Sequence, residues 1–301
     1  MDPPRLNVVC VMHGGFPIPQ WLSQIAPSGR IYLTLNDPQN HTYADVPSGC
    51  ILTTNRQPLG FAQNVNAALK KVFDEDRCSL ACVVNFDLEM EPDSLGTLVS
   101  VITADDRLGA VAARLCARDG SPVFSAGTRP TPLREFLRAA GLRSGPLFDL
   151  QRAVIRRTRG WTARNAVPEE GARVLGRSEY IPWTCLVVRR AAWSAVGRLD
   201  ERFPMYGEDI DWSFRCHESD WLLGLADCGR VVHFERATRS PRTDVLYEYS
   251  HLELHRKWGW DATLRWHRRG LEVRRRWPLE ALTPTLDWAL LTSLEHARSG
   301  D

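Results

Sequence analysis

Short apolar segments of strand length alternate with amphipathic segments of helix length along the first third of this sequence. The apolar runs from Leu6 to Met12, Ile31 to Leu35 and Leu80 to Val84 each end at polar or glycine residues, which is typical of buried strands. The segments from Gly60 to Phe73 and from Pro92 to Ile102 place apolar side chains along one helical face. This alternation predicts an α/β fold, with a mostly parallel sheet and helices on both of its faces.

The composition is that of a globular protein without an unusual charge. The chain has 301 residues, of which 44% are apolar and 25% charged, and its formal net charge is +2. A charge so close to zero gives no general attraction to nucleic acid, so no nucleic acid partner is expected. The eight cysteines contain no C-x-x-C pair, and we find neither a secretory signal nor an apolar run of about 18 residues. These features predict reduced thiols and a cytoplasmic location.

Polar residues follow three of the predicted strands. The clusters are His13-Gly14-Gly15, Asn36-Asp37 and Asn85-Phe86-Asp87. In open α/β sheets, ligands bind beyond the carboxyl ends of the strands, so these clusters are expected at one binding edge. A carboxylate such as that of Asp87 can hold Mg²⁺ or Mn²⁺ together with water and substrate phosphates. The alternative is that Asp87 is only a turn residue.

A second acidic cluster lies in the segment FPMYGEDIDWSFR, from Phe203 to Arg215. Gly207 suits a sharp turn, and the apolar spacing after it predicts a helix that begins near Asp209. A carboxylate in a first helical turn commonly caps the free N–H groups. One capping residue does not account for three neighbouring carboxylates, because like charges repel unless a cation, a proton or a reacting hydroxyl lies among them. The cluster is therefore a candidate catalytic site.

Two basic segments each have two interpretations. Residues 151–177 carry seven arginines, which are typical of a solvated mobile loop or of a lid that meets phosphate. Residues 256–277 hold eight arginines and lysines interleaved with four tryptophans. This segment is either a packed helix with its arginines outward or an interfacial membrane segment. The chain has no G-x-G-x-x-G, Walker A or G-x-S-x-G motif, which disfavours dinucleotide dehydrogenases, P-loop enzymes and α/β-hydrolases.

A set of motifs in fixed order carries a family resemblance. The motifs are LGFAQNVNAAL (59–69), VVNFD (83–87), WTCLVVRRAAWSAVGRLDERF (183–203), YGEDIDWSFR (206–215), VVH (231–233) and KWG (257–259). Together they resemble the family 2 glycosyltransferases of GT-A fold, in the branch that includes bacterial rhamnosyltransferase-like enzymes. The resemblance implies a GT-A domain over residues 1–240, with the mobile loop at 151–177, and a C-terminal helical extension over 241–301.

The resemblance also implies an activity. Such enzymes transfer a sugar from a nucleotide diphosphate donor to an acceptor hydroxyl, with inversion at the anomeric carbon and help from Mg²⁺ or Mn²⁺. The acceptor can be a saccharide, a lipid-linked saccharide or a small molecule. The expected location is the cytoplasm, with peripheral contact at the inner face of the membrane through residues 256–277 as an open alternative.

Residue roles follow from the matched motifs. Asp87 corresponds to the metal-binding aspartate, Asn85 to the variable first position of its motif, and His233 to a histidine near the diphosphate that can be a second metal ligand. Asp209 corresponds to the general base. Its neighbour Glu208 is expected to orient the acceptor or an arginine such as Arg215, while Asp211 is expected to be structural.

The resemblance also assigns residues to the donor and to the acceptor. His13, Asp37, Gly60 and Asn66 fall where the family holds the nucleotide and donor, although Asn36-Asp37-Pro38 departs from the usual D-N-x-S sequence. The residues expected near the acceptor are Trp183, Thr184 and Tyr206. An indole at position 183 can stack on a sugar or aromatic acceptor, or can simply fill the core.

Two other functions remain open at this stage. A metal-dependent sugar-phosphate nucleotidyltransferase would form a nucleotide sugar, but a Gly-rich phosphate loop is not evident after the first strand. A non-catalytic nucleotide-sugar-binding scaffold would share the fold, but would not need Asp87, Asp209 and His233 together.

Overall fold

The computed structural model describes residues 7–13, 18–24, 30–36, 46–142, 166–234, 241–276 and 286–299. The chain divides into two compact units. The sheet unit comprises residues 1–128, 165–201 and 208–236, and the helical unit comprises residues 129–164, 202–207 and 237–301. Among the described residues, no helix combines the length and the apolar character that crossing a membrane requires.

The sheet unit is built on a nine-stranded mixed sheet in the order β3-β2-β1-β4-β10-β6-β11-β5, with β8 paired to β11. Its strands are β1 Asn7–Met12, β2 Ile31–Leu35, β3 Cys50–Thr54, β4 Leu80–Asn85, β5 Leu88–Met90, β6 Leu108–Cys116, β8 Ala172–Val174, β10 Cys185–Arg189 and β11 Leu222–His233. A separate pair joins β7 Gly127–Thr128 to β9 Glu179–Tyr180. Strands β1 to β4 are parallel, and so are β6 and β11, whereas β10 is antiparallel to both β4 and β6.

Successive side chains of the strands point to opposite faces of the sheet and form an apolar layer on each face. On β1, Val8, Cys10 and Met12 belong to one layer, which includes Leu95 and Leu98 of α2. Val9 belongs to the other layer, which includes residues of α1, α4 and α5. The helices of this unit are α1 Phe61–Lys70, α2 Ser94–Ala104, α4 Arg190–Val196 and α5 Glu208–Glu218. The predicted α/β fold, with a mostly parallel sheet covered by helices on both faces, is confirmed.

Some predicted boundaries differ from the structure. The apolar segments that begin at Leu222 and Val231 form the single long strand β11, which carries register shifts against β6. Part of the predicted loop 151–177 is ordered as β8, because its backbone pairs with β11. Residues 151–165 of that loop lie outside the described residues.

The helical unit contains α3 Pro132–Ala139, α6 Pro241–Lys257, α7 Asp261–Arg276 and α8 Trp288–Ser299. Val245, Leu252, Leu271 and Leu291 are buried in its core together with Ala139. Helix α3 therefore packs with the C-terminal helices, although it precedes them by about a hundred residues. Gly270 makes this packing close, because a Cβ there would lie 2.6 Å from the backbone oxygen of Phe136.

Candidate active site

The polar residues that follow β1, β2 and β3 lie side by side. The register pairs Met12 with Leu35 and Leu35 with Thr54, so the three strands end at one level. Nδ2 of Asn36 lies 3.0 Å from Nδ1 of His13, and Nδ2 of Asn55 donates to Oδ1 of Asn36 at 2.8 Å. The predicted edge of polar residues is therefore present, and Asn36 is its centre.

Asn36 also fixes the loop that leads into α1. Its Nδ2 donates to the carbonyl of Leu59 at 2.8 Å, and its Oδ1 accepts from the N–H of Leu59 at 2.9 Å. Asn55 donates to Oδ1 of Asn64 at 2.6 Å, and the Gly60 N–H at the start of α1 donates to Oε1 of Gln63 at 3.0 Å. No role was predicted for Asn55 or Asn64, and the only local signal was that Asn55 directly follows a strand.

The sheet also brings Asp87 and His233 together. His233 is the last residue of β11 and pairs in register with Leu88 of β5, directly after Asp87. Nε2 of His233 lies 3.3 Å from Oδ2 of Asp87, and the backbone N–H of Phe234 donates to the Asp87 carbonyl at 3.0 Å. The side chains of Asp87 and His233 are 10% and 19% exposed, so both can be reached by a ligand.

This pair suits a divalent cation. A carboxylate oxygen and an imidazole nitrogen 3.3 Å apart can bind one ion together. The ion would keep further positions for water and phosphate oxygens, which is how Mg²⁺ and Mn²⁺ are usually held. Asn85 lies two residues before Asp87, and its backbone N–H donates to the carbonyl of Thr184 at 2.8 Å. Thr184 thereby lies at the same edge, because β10 begins where β4 ends.

The acidic cluster lies at the N-terminus of α5, and its members differ in environment. The Glu208 side chain is 6% exposed, and its Oε2 has no hydrogen-bond partner among the residues that the structure describes. Burial, followed by the charges of Asp209 and Asp211, raises the pKa of Glu208 well above its ordinary value. Asp209 is only half-buried, and its Oδ1 accepts from the Ile210 N–H at 2.8 Å. Glu208 is therefore the protonated member of this pair, and Asp209 is the accessible carboxylate.

The third acid of the cluster has a structural partner. Asp211 is completely buried, and its Oδ2 lies 2.8 Å from Nε of Arg215. The same guanidinium donates to the carbonyls of Val196 at 2.6 Å and Arg198 at 2.8 Å. The structural role expected of Asp211 agrees with this arrangement. Arg215 is held by Asp211, so of the two roles expected of Glu208 the orientation of the acceptor stays a prediction.

Comparison with known proteins gives one sequence relationship. An N-acetylglucosaminyl-diphospho-decaprenol L-rhamnosyltransferase of Mycobacterium tuberculosis is 29% identical over 197 residues, which are 62% of this chain and 59% of the relative. The match therefore spans less than two thirds of the relative's length. No family model matches the chain.

Solved structures give the fold. GalNAc-T7 with UDP, GalNAc and Mn²⁺ aligns over 99% of this chain and 55% of its own, at 13% identity and a TM-score of 0.52. Glucosyl-3-phosphoglycerate synthase of Mycobacterium tuberculosis, in complex with phosphoglyceric acid, aligns over 85% of this chain and 80% of its own, at 13% identity and a TM-score of 0.51.

The chain has the GT-A fold. The resemblance to rhamnosyltransferase-like enzymes of family 2 agrees with the rhamnosyltransferase relative, which is 29% identical over 197 residues.

Within the GT-A fold, Asn66 has a different position from the one expected. Its side chain is 3% exposed, and Nδ2 donates to the carbonyl of Leu199 at 2.9 Å and to Oε1 of Glu201 at 2.8 Å. Its Oδ1 accepts from the Leu199 N–H at 3.0 Å. Both amide hydrogens are thus used within the protein. Asn66 anchors the segment after α4 and does not present its side chain to a donor.

Trp183 likewise lies in the core of the GT-A fold. It is 3% exposed, and its ring centroid lies 5.1 Å from that of Trp212 and 5.9 Å from that of Trp193. Its Nε1 is buried without a hydrogen-bond partner among the described residues. The core interpretation therefore fits the structure, and stacking on an acceptor does not. Thr184, which follows, is 8% exposed.

Two further predicted residues complete the set. Tyr206 belongs to the helical unit, is 39% exposed, and has a positive φ of 66° followed by Gly207 at 93°. Its ring centroid lies 5.1 Å from that of Tyr247. Asp37, expected on the nucleotide side, lies outside the described residues, as do Gly14 and Gly15.

Proposed function

We propose that this protein is an inverting glycosyltransferase that moves a sugar from a nucleotide diphosphate donor to an acceptor hydroxyl. The observation that carries the proposal is the pairing of Asp87 with His233 at the sheet edge, 3.3 Å apart, within a GT-A fold. A half-buried carboxylate, Asp209, lies at a helix N-terminus and is assigned to the acceptor. Asp87 and His233 then bind the metal, and Asp209, in a different part of the chain, accepts the proton.

The donor side is assigned to the carboxyl edge of the parallel strands. His13 lies there, with its Nδ1 3.0 Å from Nδ2 of the buried Asn36, and Asp37 directly follows Asn36 in the sequence. Because Asn36 and Asn55 hold the loop before Gly60, the start of α1 keeps a fixed position beside this edge. A nucleotide that binds here meets preorganised groups, which lowers the ordering cost of binding.

Asp87 and His233 would hold Mg²⁺ or Mn²⁺, which supplies Lewis-acid neutralisation of the leaving nucleotide diphosphate when bound. Two solved neighbours support a divalent cation beside UDP. GalNAc-T7 was solved with UDP and Mn²⁺, and glucosyl-3-phosphoglycerate synthase was also solved with Mg²⁺ and UDP, at a TM-score of 0.50.

Asp209 is proposed as the general base. N–H groups at the start of a helix stabilise a carboxylate and fix its direction, and Asp209 accepts one such bond from Ile210. The carboxylate accepts the proton of the acceptor hydroxyl as that oxygen attacks the anomeric carbon from the face opposite the diphosphate. A single displacement of this kind inverts the anomeric configuration. Glu208, held protonated by burial, shapes the site without taking the proton.

A lipid-linked saccharide is proposed as the acceptor, because the relative's name describes a decaprenol-diphosphate-linked N-acetylglucosamine. The helical unit has a surface suited to such an acceptor. On α7, Arg265, Arg269 and Arg276 are exposed, and Trp266 beside them is 46% exposed. A basic face with an aromatic side chain binds anionic membrane surfaces. This face lies within residues 256–277 and would bring a cytoplasmic enzyme to the inner leaflet of a bacterial membrane.

The direct test is a donor screen. UDP-, dTDP- and GDP-sugars are incubated with the protein and Mn²⁺ or Mg²⁺, and nucleotide diphosphate release is measured with and without polyprenyl-diphosphate saccharides. Metal-dependent release that rises with acceptor supports the proposal. Pyrophosphate formation from a nucleoside triphosphate and a sugar phosphate would instead identify a nucleotidyltransferase. Binding of nucleotide sugar with no turnover of any donor would identify the scaffold function.

A further inference from the structure

The core of the helical unit contains a cluster of ionisable side chains that the proposed transfer reaction does not use. Glu135 of α3 is 1% exposed, and His255 of α6 and His267 of α7 are completely buried. One ligand atom from each of these three residues lies within 4.8 Å of the other two. The cluster is drawn from three helices and belongs wholly to the helical unit.

The carboxylate of Glu135 is the centre of this cluster. Its Oε2 lies 3.4 Å from Nε2 of His255, 3.9 Å from Nδ1 of His267 and 3.3 Å from Nδ1 of His251. His251 and His255 are four residues apart on α6 and therefore share one face of the helix. An H-x3-H pair on a helix is a common arrangement for two metal-ligating histidines.

The imidazole nitrogens that face Glu135 lie 3.3 to 3.9 Å from its Oε2 and make no hydrogen bond of ordinary geometry. Both ring nitrogens of His255, and Nδ1 of both His251 and His267, are buried without a partner among the residues that the structure describes. Leaving several buried polar nitrogens unbonded is costly, because each has lost its water. A cation among them would give one nitrogen of each ring a partner.

The hydrogen bonding of His267 shows which of its nitrogens is available. Nε2 of His267 lies 2.9 Å from Oε2 of Glu248 and 3.1 Å from Nη2 of Arg138, and the shorter contact to the carboxylate favours a hydrogen on this nitrogen. Complete burial favours the neutral ring, whose Nδ1 then presents a lone pair toward Glu135. A carboxylate that accepts the second ring N–H is the usual outer partner of a metal-bound histidine.

We propose that Glu135, His255 and His267 form a structural zinc site, with His251 beside them as the fourth ligand. Three imidazoles and one carboxylate make a donor set that zinc accepts in tetrahedral geometry. The ligands are buried on three helices, so the ion would link α3, α6 and α7 and would have no open position for chemistry. This site shares no residue with the Asp87–His233 pair and does not depend on glycosyl transfer.

The competing arrangement is a metal-free cluster in which Arg138 alone neutralises Glu135. Nη2 of Arg138 donates to Oε2 of Glu135 at 2.9 Å, and its Nη1 donates to Oε2 of Glu248 at 2.7 Å. The guanidinium satisfies the two carboxylates, but it leaves the nitrogens of His255 and Nδ1 of His267 without a well-formed hydrogen bond. In the zinc-bound form, Glu135 is shared between Arg138 and the ion.

Metal analysis tests the proposal. The full chain is purified without an immobilised-metal step, and zinc is measured by plasma mass spectrometry. We expect about one zinc ion per chain in the wild-type protein. His255→Gln and Glu135→Gln should lower the zinc content by about tenfold or more, since ligand loss exceeds the cost of losing an outer partner. His217→Gln removes a buried histidine of the sheet unit, whose Nε2 lies 3.0 Å from the Glu179 carbonyl, and should leave the zinc content unchanged.

Two further measurements keep the test decisive if a ligand variant fails to fold. Chelation of the wild-type protein should lower its melting temperature, and Zn²⁺ but not Mg²⁺ should restore it. Asp87→Ala should retain its zinc. The proposal is overturned if wild-type protein contains no zinc and gains no thermal stability from added Zn²⁺. It is equally overturned if Asp87→Ala loses the ion while His255→Gln keeps it.

Discussion

Nε of Arg215 lies 2.8 Å from Oδ2 of Asp211, one turn earlier in α5, and this ion pair is buried at its acidic end. The pair removes Asp211 from the reactive part of the acidic cluster. Only Glu208 and Asp209 then remain as alternatives for the base, and burial separates them. Burial raises the pKa of Glu208 well above its ordinary value, whereas Asp209 is only half-buried at the start of the helix.

Asp209→Asn should lower the transfer rate by about 10² to 10⁴, since the variant keeps the shape of the side chain and loses its basicity. Donor affinity should remain close to that of the wild type. Single-turnover transfer and a separate donor titration measure the two effects. Glu208→Gln is the matched control and should retain most of the rate. An inactive Gln variant beside an active Asn variant would reverse the two roles.

Asp87→Ala and His233→Ala should each abolish the increase in nucleotide diphosphate affinity that Mn²⁺ causes. The reason is that each change removes one of two neighbouring ligands at the strand ends. Calorimetric titration of UDP, dTDP and GDP with and without Mn²⁺ measures this increase. Glu89→Ala, at an exposed carboxylate on β5, is the control and should behave as the wild type. A metal effect that survives in Asp87→Ala contradicts the assignment.

The raised pKa of Glu208 predicts a dependence of stability on pH. Above the ordinary glutamate value, the native state holds a proton that the unfolded state has released. The stabilising contribution of the buried acid is therefore complete below that value and declines as the pH rises. Glu208→Gln cannot ionise, so its melting temperature should rise relative to that of the wild type as the pH increases from 5 to 8. Glu89→Gln, at an exposed site, should show no such trend.

Trp183→Ala should lower the free energy of unfolding by about 3 to 5 kcal/mol, because it removes a large side chain from the cluster with Trp193 and Trp212. Trp183→Phe should cost less. The folded fraction of either variant should bind acceptor as the wild type does. Denaturant unfolding gives the stabilities, with Leu133→Ala, 61% exposed, as the control. A selective loss of acceptor affinity with unchanged stability would restore the acceptor role of the indole.

The exposed arginines of α7 should determine membrane affinity. Replacing Arg265, Arg269 and Arg276 by glutamine removes about 1 kcal/mol of attraction each, so binding to anionic vesicles should weaken on the order of 100-fold. Vesicle sedimentation at fixed salt measures this. Arg107→Gln, at an exposed arginine of the sheet unit, is a single-charge control, and neutral vesicles test the charge dependence. Equal binding of the triple variant and the wild type to anionic vesicles would exclude this face.

The residues predicted best from the sequence are those whose position follows from strand order. His13 and Asp87 each follow a strand of the parallel part of the sheet, and His233 ends a strand that runs to the same edge. An apolar run with a polar end can be recognised locally in the sequence. Because parallel strands end at the same edge of the sheet, the polar residues after them are brought together there. Asp87 and His233 were predicted as a metal pair from the motif order of the family, since neither residue type is specific alone.

The residues predicted poorly are those whose partners lie far away in the sequence. Asn66 bonds with Leu199 and Glu201, and nothing in the helix that contains it indicates this contact. The packing of Trp183 with Trp212 depends on how α5 crosses the sheet. The short strand β8 is specified by β11 and not by its own composition. The H-x3-H spacing on α6 was visible in the sequence, but its meaning required Glu135 from α3.

Gly270 sets the distance between α3 and α7 in the helical unit. A methyl group at this position would collide with the Phe136 oxygen and with Ala139, which would lie 2.9 Å away, so any larger residue must push α3 and α7 apart. Glu135 precedes Phe136 on one helix, and His267 lies almost one turn before Gly270 on the other. The absence of a side chain at Gly270 thus allows α3 and α7 to approach closely enough for Glu135 and His267 to lie next to each other.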